Sequence, residues 1–167
     1  LCKGITTYEC NIVSAGYRGL SNADGWNPDS SSDCYLLNSV LDGQDDNIAI
    51  KTVGYLDESG VWRGQPSQNI HIHYCRFVRG GGLSIGVEMH SDVRDVEFTD
   101  CVVENSDRGF HICSRHNGPG DVENILFRDI VVERTGCWGI NVTMWYWIHD
   151  YMPGSFTADQ VRGMRNI

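Results

Sequence analysis

The chain has 167 residues, a net charge of −9 and 41% hydrophobic residues. This composition is typical of a globular domain with a sizeable core rather than of a disordered chain. The acidic balance argues against a nucleic-acid binder, because phosphate groups need cationic partners, although a local basic groove can still bind an acidic polymer.

The composition predicts mostly β structure. Nineteen glycines and only four prolines, with many β-branched and aromatic residues, indicate short strands joined by tight turns. The longest apolar run, INVTMWYWI, is too short to span a bilayer, and we expect no membrane contact.

The seven cysteines are an odd number and include no Cys-x-x-Cys pair, so they indicate neither a zinc site nor a complete disulfide framework. We interpret them as free and mostly buried thiols, with a bridge between Cys75 and Cys101 as the open alternative.

The predicted strands form a repeat. Its five copies, GITTYECNI, DCYLLNSVL, NIHIHYCRF, DVEFTDCVV and NILFRDIVV, share one pattern of alternating apolar residues. Equivalent positions in these copies, with one that opens a further copy, are Ile5, Cys34, Ile70, Val96, Ile125 and Ile167.

Each copy is followed by a second short strand, in GWNP, NIAIK, GLSIG, GFHIC and GINVT. Alternation predicts that one face of these strands is buried, through Ile48, Ile50, Leu83, Ile85, Phe110, Ile112, Ile140 and Val142. Two short strands per copy, with equivalent residues in register, favour an all-β parallel β-helix over a β-sandwich. We expect residues 1–167 to form a single domain of this kind.

Three aspartates are brought together by this stacking. Equivalent residues on adjacent coils lie about 4.8 Å apart. Counting back two residues from Trp26 and from Ile48 places Asp24 and Asp46 in one column, with Asp45 at the turn just before. Such a cluster can cap turns, bind calcium, or supply the acid and the base of glycoside hydrolysis.

A family resemblance rests on the same residues. Asn22–Ala23–Asp24, then Asp45–Asp46, then Gly80–Gly86 and Arg108–Cys113, resemble in order and spacing the motifs of glycoside hydrolase family 28, the polygalacturonases and their relatives. The resemblance covers essentially the whole chain. It implies a right-handed parallel β-helix and hydrolysis of a pectin-like polysaccharide with inversion. Because members of the family are longer, we expect this chain to be the central part of a longer domain.

The resemblance also implies residue roles. Asp45 matches the general acid, Asp24 and Asp46 match the pair that positions and deprotonates water, and Tyr146 matches a tyrosine of the substrate cleft. Asn22, in the first motif, is a substrate-binding candidate. The implied protein is secreted or periplasmic and binds a polysaccharide or oligosaccharide; we expect a monomer without metal or cofactor.

Two motifs depart from the family pattern. Polygalacturonases carry Gly–His–Gly where this chain has Gly80–Gly82, and Arg–Ile–Lys where it has 111–113, His–Ile–Cys. In the family the Arg and Lys bind a galacturonate carboxylate, which needs a fixed positive charge. We therefore expect either a different linkage, as in rhamnogalacturonan hydrolases, or cations recruited from elsewhere in the chain.

Several side chains are candidates to compensate for these losses, although each basic residue is alternatively a solvated surface charge. Lys51 and Arg108 are the first candidate cations, and Arg79 and Arg115 are weaker ones. His111 lies on the cleft face, and its charge is expected to change near neutral pH. The other candidates for the cleft are Glu88, as an additional carboxylate or only a turn residue, and Trp138, Trp145 and Trp147, as sugar-stacking platforms. Core packing explains at least one of these tryptophans equally well.

His71 and His73 alternate on the outward face of one strand. They can ligate a metal only if a third ligand approaches, and we interpret them as exposed strand histidines.

Two other functions remain open. A non-catalytic carbohydrate-binding β-helix fits the missing motif residues, whereas retention of all three aspartates favours an enzyme. A polysaccharide lyase would need calcium and a strongly basic side chain among the aspartates; no motif of the sequence assigns a base there, and we rank a lyase well below a hydrolase.

Overall fold

The computed structural model describes residues 1–14, 22–114, 120–143 and 163–167. All regular structure in these segments is strand, and none of it is a helix long and apolar enough to cross a membrane. The strands are β1 (Lys3–Tyr8), β2 (Asn11–Val13), β3 (Ser32–Leu37), β4 (Val40–Asp42), β5 (Ile48–Thr52), β6 (Tyr55–Leu56), β7 (Trp62–Arg63), β8 (Ser67–His73), β9 (Arg76–Gly80), β10 (Leu83–Met89), β11 (Val93–Cys113), β12 (Val122–Thr143) and β13 (Met164–Arg165).

All strands except β6 and β7, which form a separate antiparallel pair, wind into a parallel β-helix with three sheets. The first sheet contains β1, β3, β8, the starts of β11 and β12, and β13. The second contains β2, β4, β9 and the middle parts of β11 and β12. The third contains β5, β10 and the ends of β11 and β12. The all-β solenoid is confirmed, and its parallel crossovers are consistent with right-handed winding.

The pairing register confirms the sequence repeat. In the first sheet, Ile5 pairs with Cys34, Cys34 with Ile70, Ile70 with Val96, and Val96 with Ile125. In the third sheet the second strand of each copy is equally aligned, through Trp26, Ile48, Leu83, Phe110 and Ile140.

Two columns of left-handed residues bend each coil. The first column has φ values of 53° to 71° and comprises Gly4, Asp33, Asn69, Asp95, Asn124 and Asn166. The second, with φ from 49° to 57°, comprises Glu9, Asn38, Tyr74, Asp100 and Asp129. Asn and Asp tolerate this conformation better than most side chains. Neighbouring corners also bond to each other, since Asn124 Nδ2 donates to Asp95 Oδ1 at 3.0 Å.

The core lies inside the coils and follows the predicted alternation. Its largest fully buried side chains include Leu36, Ile48, Ile50, Ile70, Ile72, Phe77, Leu83, Ile85, Phe98 and Ile112. The prediction of burial is wrong for Ile140 and Val142, which are 72% and 46% exposed. They keep their register but lie on the last rung of the third sheet in the described part of the chain, so no further rung covers them.

All seven cysteines are free thiols, and Cys34, Cys75, Cys101 and Cys113 are buried. Cys75 and Cys101 contact each other through a hydrogen bond from Cys75 N to Cys101 Sγ at 3.4 Å. The interpretation of buried thiols is confirmed for these four, whereas Cys2 and Cys137 are exposed.

Asp95 tests the corner column. Replacing Asp95 by Ala forces a residue with a Cβ and no local hydrogen bond into φ 55°, and removes the acceptor for Asn124. We expect the free energy of unfolding to fall by about 1–3 kcal/mol in urea denaturation. Asp95→Asn keeps the hydrogen-bond acceptor, and asparagine tolerates a positive φ. Its free energy of unfolding should therefore lie within about 0.5 kcal/mol of that of the parent. Equal stability of the two variants would contradict this account of the corners.

Candidate active site

Asp45 and Asp46 lie in the turn between β4 and β5, which docks against the glycines that follow β9. Gly81 N donates to Asp45 O at 2.8 Å, and Asn47 N donates to Gly82 O at 2.9 Å. Gly80 has φ +126°, and a Cβ there would lie 2.6 Å from Asp45 O. Glycine is therefore required for this close approach of two backbones.

Asp24 is positioned by backbone pairing on the same rung edge. Gly25 N donates to Asp46 O at 2.9 Å, and Trp26 N donates to Asn47 O at 3.0 Å. The structure thus places Asp24 beside Asp46 on adjacent coils, as the sequence predicts.

Asp45 is held by two backbone amides. Its Oδ2 accepts from Asn22 N at 2.6 Å, and its Oδ1 accepts from Asp46 N at 3.0 Å. Donors of this kind stabilise the ionised carboxylate. Asn22 therefore contributes its backbone amide to the cluster, while the residue itself is exposed.

Of the three carboxylates, Asp46 is the one whose ionised form its surroundings disfavour. Its side chain is 17% exposed, and Oδ1 is buried and accepts no hydrogen bond within the described part of the chain. Burial raises the pKa of Asp46 to about 6, and the nearby charges of Asp45 and Asp24 add to the effect. The Ser84 hydroxyl and the Arg108 guanidinium act in the opposite direction. Asp46 consequently retains its proton to a higher pH than an ordinary aspartic acid does.

Asp24 is paired with a cation. Its Oδ2 accepts from Asn27 Nδ2 at 2.6 Å and from Lys51 Nζ at 3.3 Å. Lys51 Nζ is also 3.6 Å from Glu88 Oε2. Burial disfavours the charged form of Lys51, but Glu88 and Asp24 outweigh it and raise the pKa of the ammonium above its usual value. Lys51 therefore remains a cation between two carboxylates.

Arg108 and His111 form a second pair beside Asp46. Arg108 Nη1 is 3.8 Å from Asp46 Oδ1 and 3.2 Å from His111 Nδ1. Because a guanidinium only donates, His111 Nδ1 must accept. Burial, and then the charge of Arg108, lower the pKa of His111 to about 4. His111 is neutral at neutral pH, so the expectation that its charge changes there is wrong.

The remaining candidates fall into three groups. Glu88 lies at the cluster, and Trp138 is 45% exposed with its ring centroid 5.9 Å from that of His111. Arg79 is not part of the cluster, because it forms a two-point pair with Asp42 at 2.8 and 2.6 Å. Residues outside the described part of the chain are Arg115, Trp145, Tyr146 and Trp147.

Sequence reasoning missed two residues of the site. Asn27 donates to Asp24, and only its position three residues further along the chain pointed to it. Ser84 pairs with His111 in the third sheet, so the alignment of GLSIG with GFHIC contained the signal. Ser84 and His111 belong to an outward-facing column with Ala49, and this column is more enclosed than expected, since all three residues are buried.

Comparison with known proteins decides the family. The model of glycosyl hydrolases family 28 matches residues 1–164. The chain belongs to this family. It is 30% identical to a probable polygalacturonase of Vitis vinifera over 96% of the chain, and 27% identical to a polygalacturonase of Penicillium griseoroseum over 97% of the chain. It spans 34% and 38% of these two relatives. No solved structure gives a significant match.

One departure from the family-28 pattern has a structural counterpart at Gly81. Register in the third sheet puts Gly81 between Asp46 and Arg108 in one column. A Cβ at Gly81 would collide with Asp46 Oδ1. A side chain here would have to displace the Asp46 carboxylate, which Arg108 Nη1 approaches to 3.8 Å from the far side of the Gly81 rung.

Gly81→Ala tests this close approach. We expect the added methyl group to displace Asp46 and to lower the free energy of unfolding by about 1–3 kcal/mol in urea denaturation. Gly139→Ala is the matched control, because a Cβ at Gly139 meets nothing within 4 Å. Equal stability of the two variants would show that the turn can move away without cost.

Asp46→Asn tests the electrostatic strain. Between pH 4 and 6 the folded chain holds a proton that the unfolded chain has released, since the pKa of Asp46 rises from 3.8 to about 6, so stability falls as pH increases through this window. Asn removes that cost. We expect the free energy of unfolding to rise by about 1–3 kcal/mol at pH 8 and to change little at pH 3.

The control for this experiment is Asp129→Asn, at a left-handed corner with a side chain that is 71% exposed. Its effect should be small and the same at both pH values. An Asp46→Asn effect that is also independent of pH would contradict the raised pKa.

Proposed function

We propose that the protein is a glycosidase that cleaves a pectin-like plant cell-wall polysaccharide with inversion. The observation that carries the proposal is the convergence of three carboxylates at one edge of the third sheet, with Asp46 protonated up to about pH 6. Inverting hydrolysis needs one carboxylic acid for the leaving oxygen and one carboxylate for the water. The cluster supplies carboxyl groups for both roles, and a pKa of about 6 makes Asp46 a stronger base than an ordinary aspartate once it has lost its proton.

Each aspartate takes the role that the resemblance implies. Asp45 protonates the leaving oxygen, and Asp24 and Asp46 position and deprotonate water. The backbone amide of Asp46 donates to Asp45 Oδ1 at 3.0 Å, and the charge of Asp45 is one of the causes that raise the pKa of Asp46. Asp24, held by Asn27 and Lys51, supplies a fixed negative charge for the water.

A second candidate substrate is rhamnogalacturonan, or another glycan in which the sugar next to the cleavage point is not a galacturonate. The observation that favours it is the state of the cations. His111 is neutral and Cys113 is a buried thiol, while Lys51 and Arg108 face carboxylates of the chain itself. These residues offer a galacturonate carboxylate no uncommitted fixed charge.

The same proposal includes the setting of the reaction. The polymer lies outside the cell, so we propose a secreted or periplasmic monomer that works without a cofactor. Its substrate is a polysaccharide or oligosaccharide, and neither nucleic acid nor membrane takes part.

Asp45→Asn is the decisive variant, because it removes the acid with little change in volume. We expect the release of reducing ends to fall by about 10²–10⁴-fold in kcat, the contribution typical of a positioned acid, with KM little changed. Asp129→Asn should keep the parent rate. Unchanged hydrolysis by Asp45→Asn would falsify its role.

The substrate panel should contain homogalacturonan, rhamnogalacturonan and a neutral glycan, with the anomeric configuration of the first product followed by NMR. The product should have inverted configuration, and the rate on rhamnogalacturonan should exceed that on homogalacturonan. If the protein binds oligosaccharides from the panel yet releases no reducing ends, the function is carbohydrate binding.

A further inference from the structure

Two histidines and a glutamate converge on the outer face of the first sheet, away from the third sheet that holds the aspartates. Ile70 and Ile72 of β8 are buried, so His71 and His73 between and beyond them point outward. Glu97 of β11 pairs directly with His71 on the next coil. Glu97 Oε2 is 3.3 Å from His71 Nδ1 and 3.7 Å from His73 Nε2.

Hydrogen bonding fixes the tautomer that neutral His71 adopts. Asn69 Nδ2 donates to Asp33 Oδ1 at 2.6 Å, which leaves Asn69 Oδ1 as the acceptor on its other side. His71 Nε2 lies 2.8 Å from that oxygen and must donate to it. In neutral His71 the proton is then on Nε2, so Nδ1 presents a lone pair to the Glu97 carboxylate. Two acceptors at 3.3 Å repel unless a cation lies between them.

His73 presents a second nitrogen to the same point. Its Nε2 is buried and makes no hydrogen bond within the described segments. The other oxygen of Glu97, Oε1, is 3.5 Å from Arg128 Nη2, which holds the carboxylate with Oε2 directed at the histidines.

We propose that His71 Nδ1, His73 Nε2 and Glu97 Oε2 bind a zinc ion that links β8 to β11. Two imidazoles and a carboxylate are a known zinc ligand set that leaves the fourth position for water. Metal–ligand bonds of about 2.0–2.1 Å put tetrahedral ligands roughly 3.3–3.5 Å apart. Two of the separations here are 3.3 and 3.7 Å, and all three atoms lie within 4.8 Å of one another.

The surroundings support this assignment. The relay from His71 through Asn69 to Asp33 is the outer contact that typically orients a ligating histidine. Tyr35 stacks on His71 with ring centroids 5.0 Å apart and planes 6° from parallel, which fixes the ring further. The competing arrangement is a protonated His71 in an ion pair with Glu97, and it predicts no metal affinity.

The test is a titration of ZnCl₂ into metal-free protein at pH 7, followed by calorimetry. The background is Cys2→Ser/Cys10→Ser/Cys137→Ser, because thiols that are not fully buried also bind zinc. We expect one zinc per chain, with the affinity lowered at least 10-fold by Glu97→Gln and by His73→Gln. Glu133→Gln, the same change at an exposed position of β12, should leave the affinity unchanged.

X-ray absorption at the zinc edge on the background protein gives a readout that needs no further variant. We expect imidazole and oxygen donors and no sulfur. Absence of saturable binding, a sulfur ligand, or equal affinity in Glu97→Gln, His73→Gln and the background would each overturn the proposal. None of these measurements depends on hydrolysis, so they stand apart from the proposed function.

Discussion

Parallel stacking in register is the constraint on which the structure depends. Each coil repeats the same turns at left-handed corners, so residues that are 22 to 42 positions apart in the chain become neighbours about 4.8 Å apart. Asp24 meets Asp46 in this way in the third sheet, and His71 meets Glu97 in the first. The chemistry of the chain is therefore a property of columns rather than of local motifs.

Columns of like charge cost free energy, and the aspartate cluster shows how the fold offsets that cost unevenly. Asp45 has two backbone donors and Asp24 has Lys51 and Asn27, whereas Asp46 has the Ser84 hydroxyl and the more distant Arg108 against its burial. The residual strain appears as a raised pKa at one group. Catalytic sites commonly keep such strain, because a fully compensated carboxylate would no longer hold a proton near its working pH.

The sequence was sufficient for the columns and insufficient for the protonation states. Alternating apolar residues fix which positions stack, so the register of Cys34 with Ile70 and the meeting of Asp24 with Asp46 could be predicted. The neutral state of His111 could not, since it depends on burial in three dimensions. The contact between Glu97 and His71 was predictable in principle, because the two residues hold the same position in their copies of the repeat. The pattern of apolar residues alone does not point to it, since both residues are polar.

The cations of the site are Lys51 beside Asp24 and Arg108 beside Asp46. His111 and Cys113 are two residues apart on one strand of the third sheet, and neither carries a fixed positive charge. Arg108 lies in the column of Asp46, and its guanidinium is 3.8 Å from that carboxylate. Gly81, on the rung between, has no side chain, and a Cβ there would collide with Asp46 Oδ1. Gly81 and Arg108 thus act on the same carboxylate: a cation from two coils further along the solenoid lies beside Asp46 and moderates the pKa that burial raises.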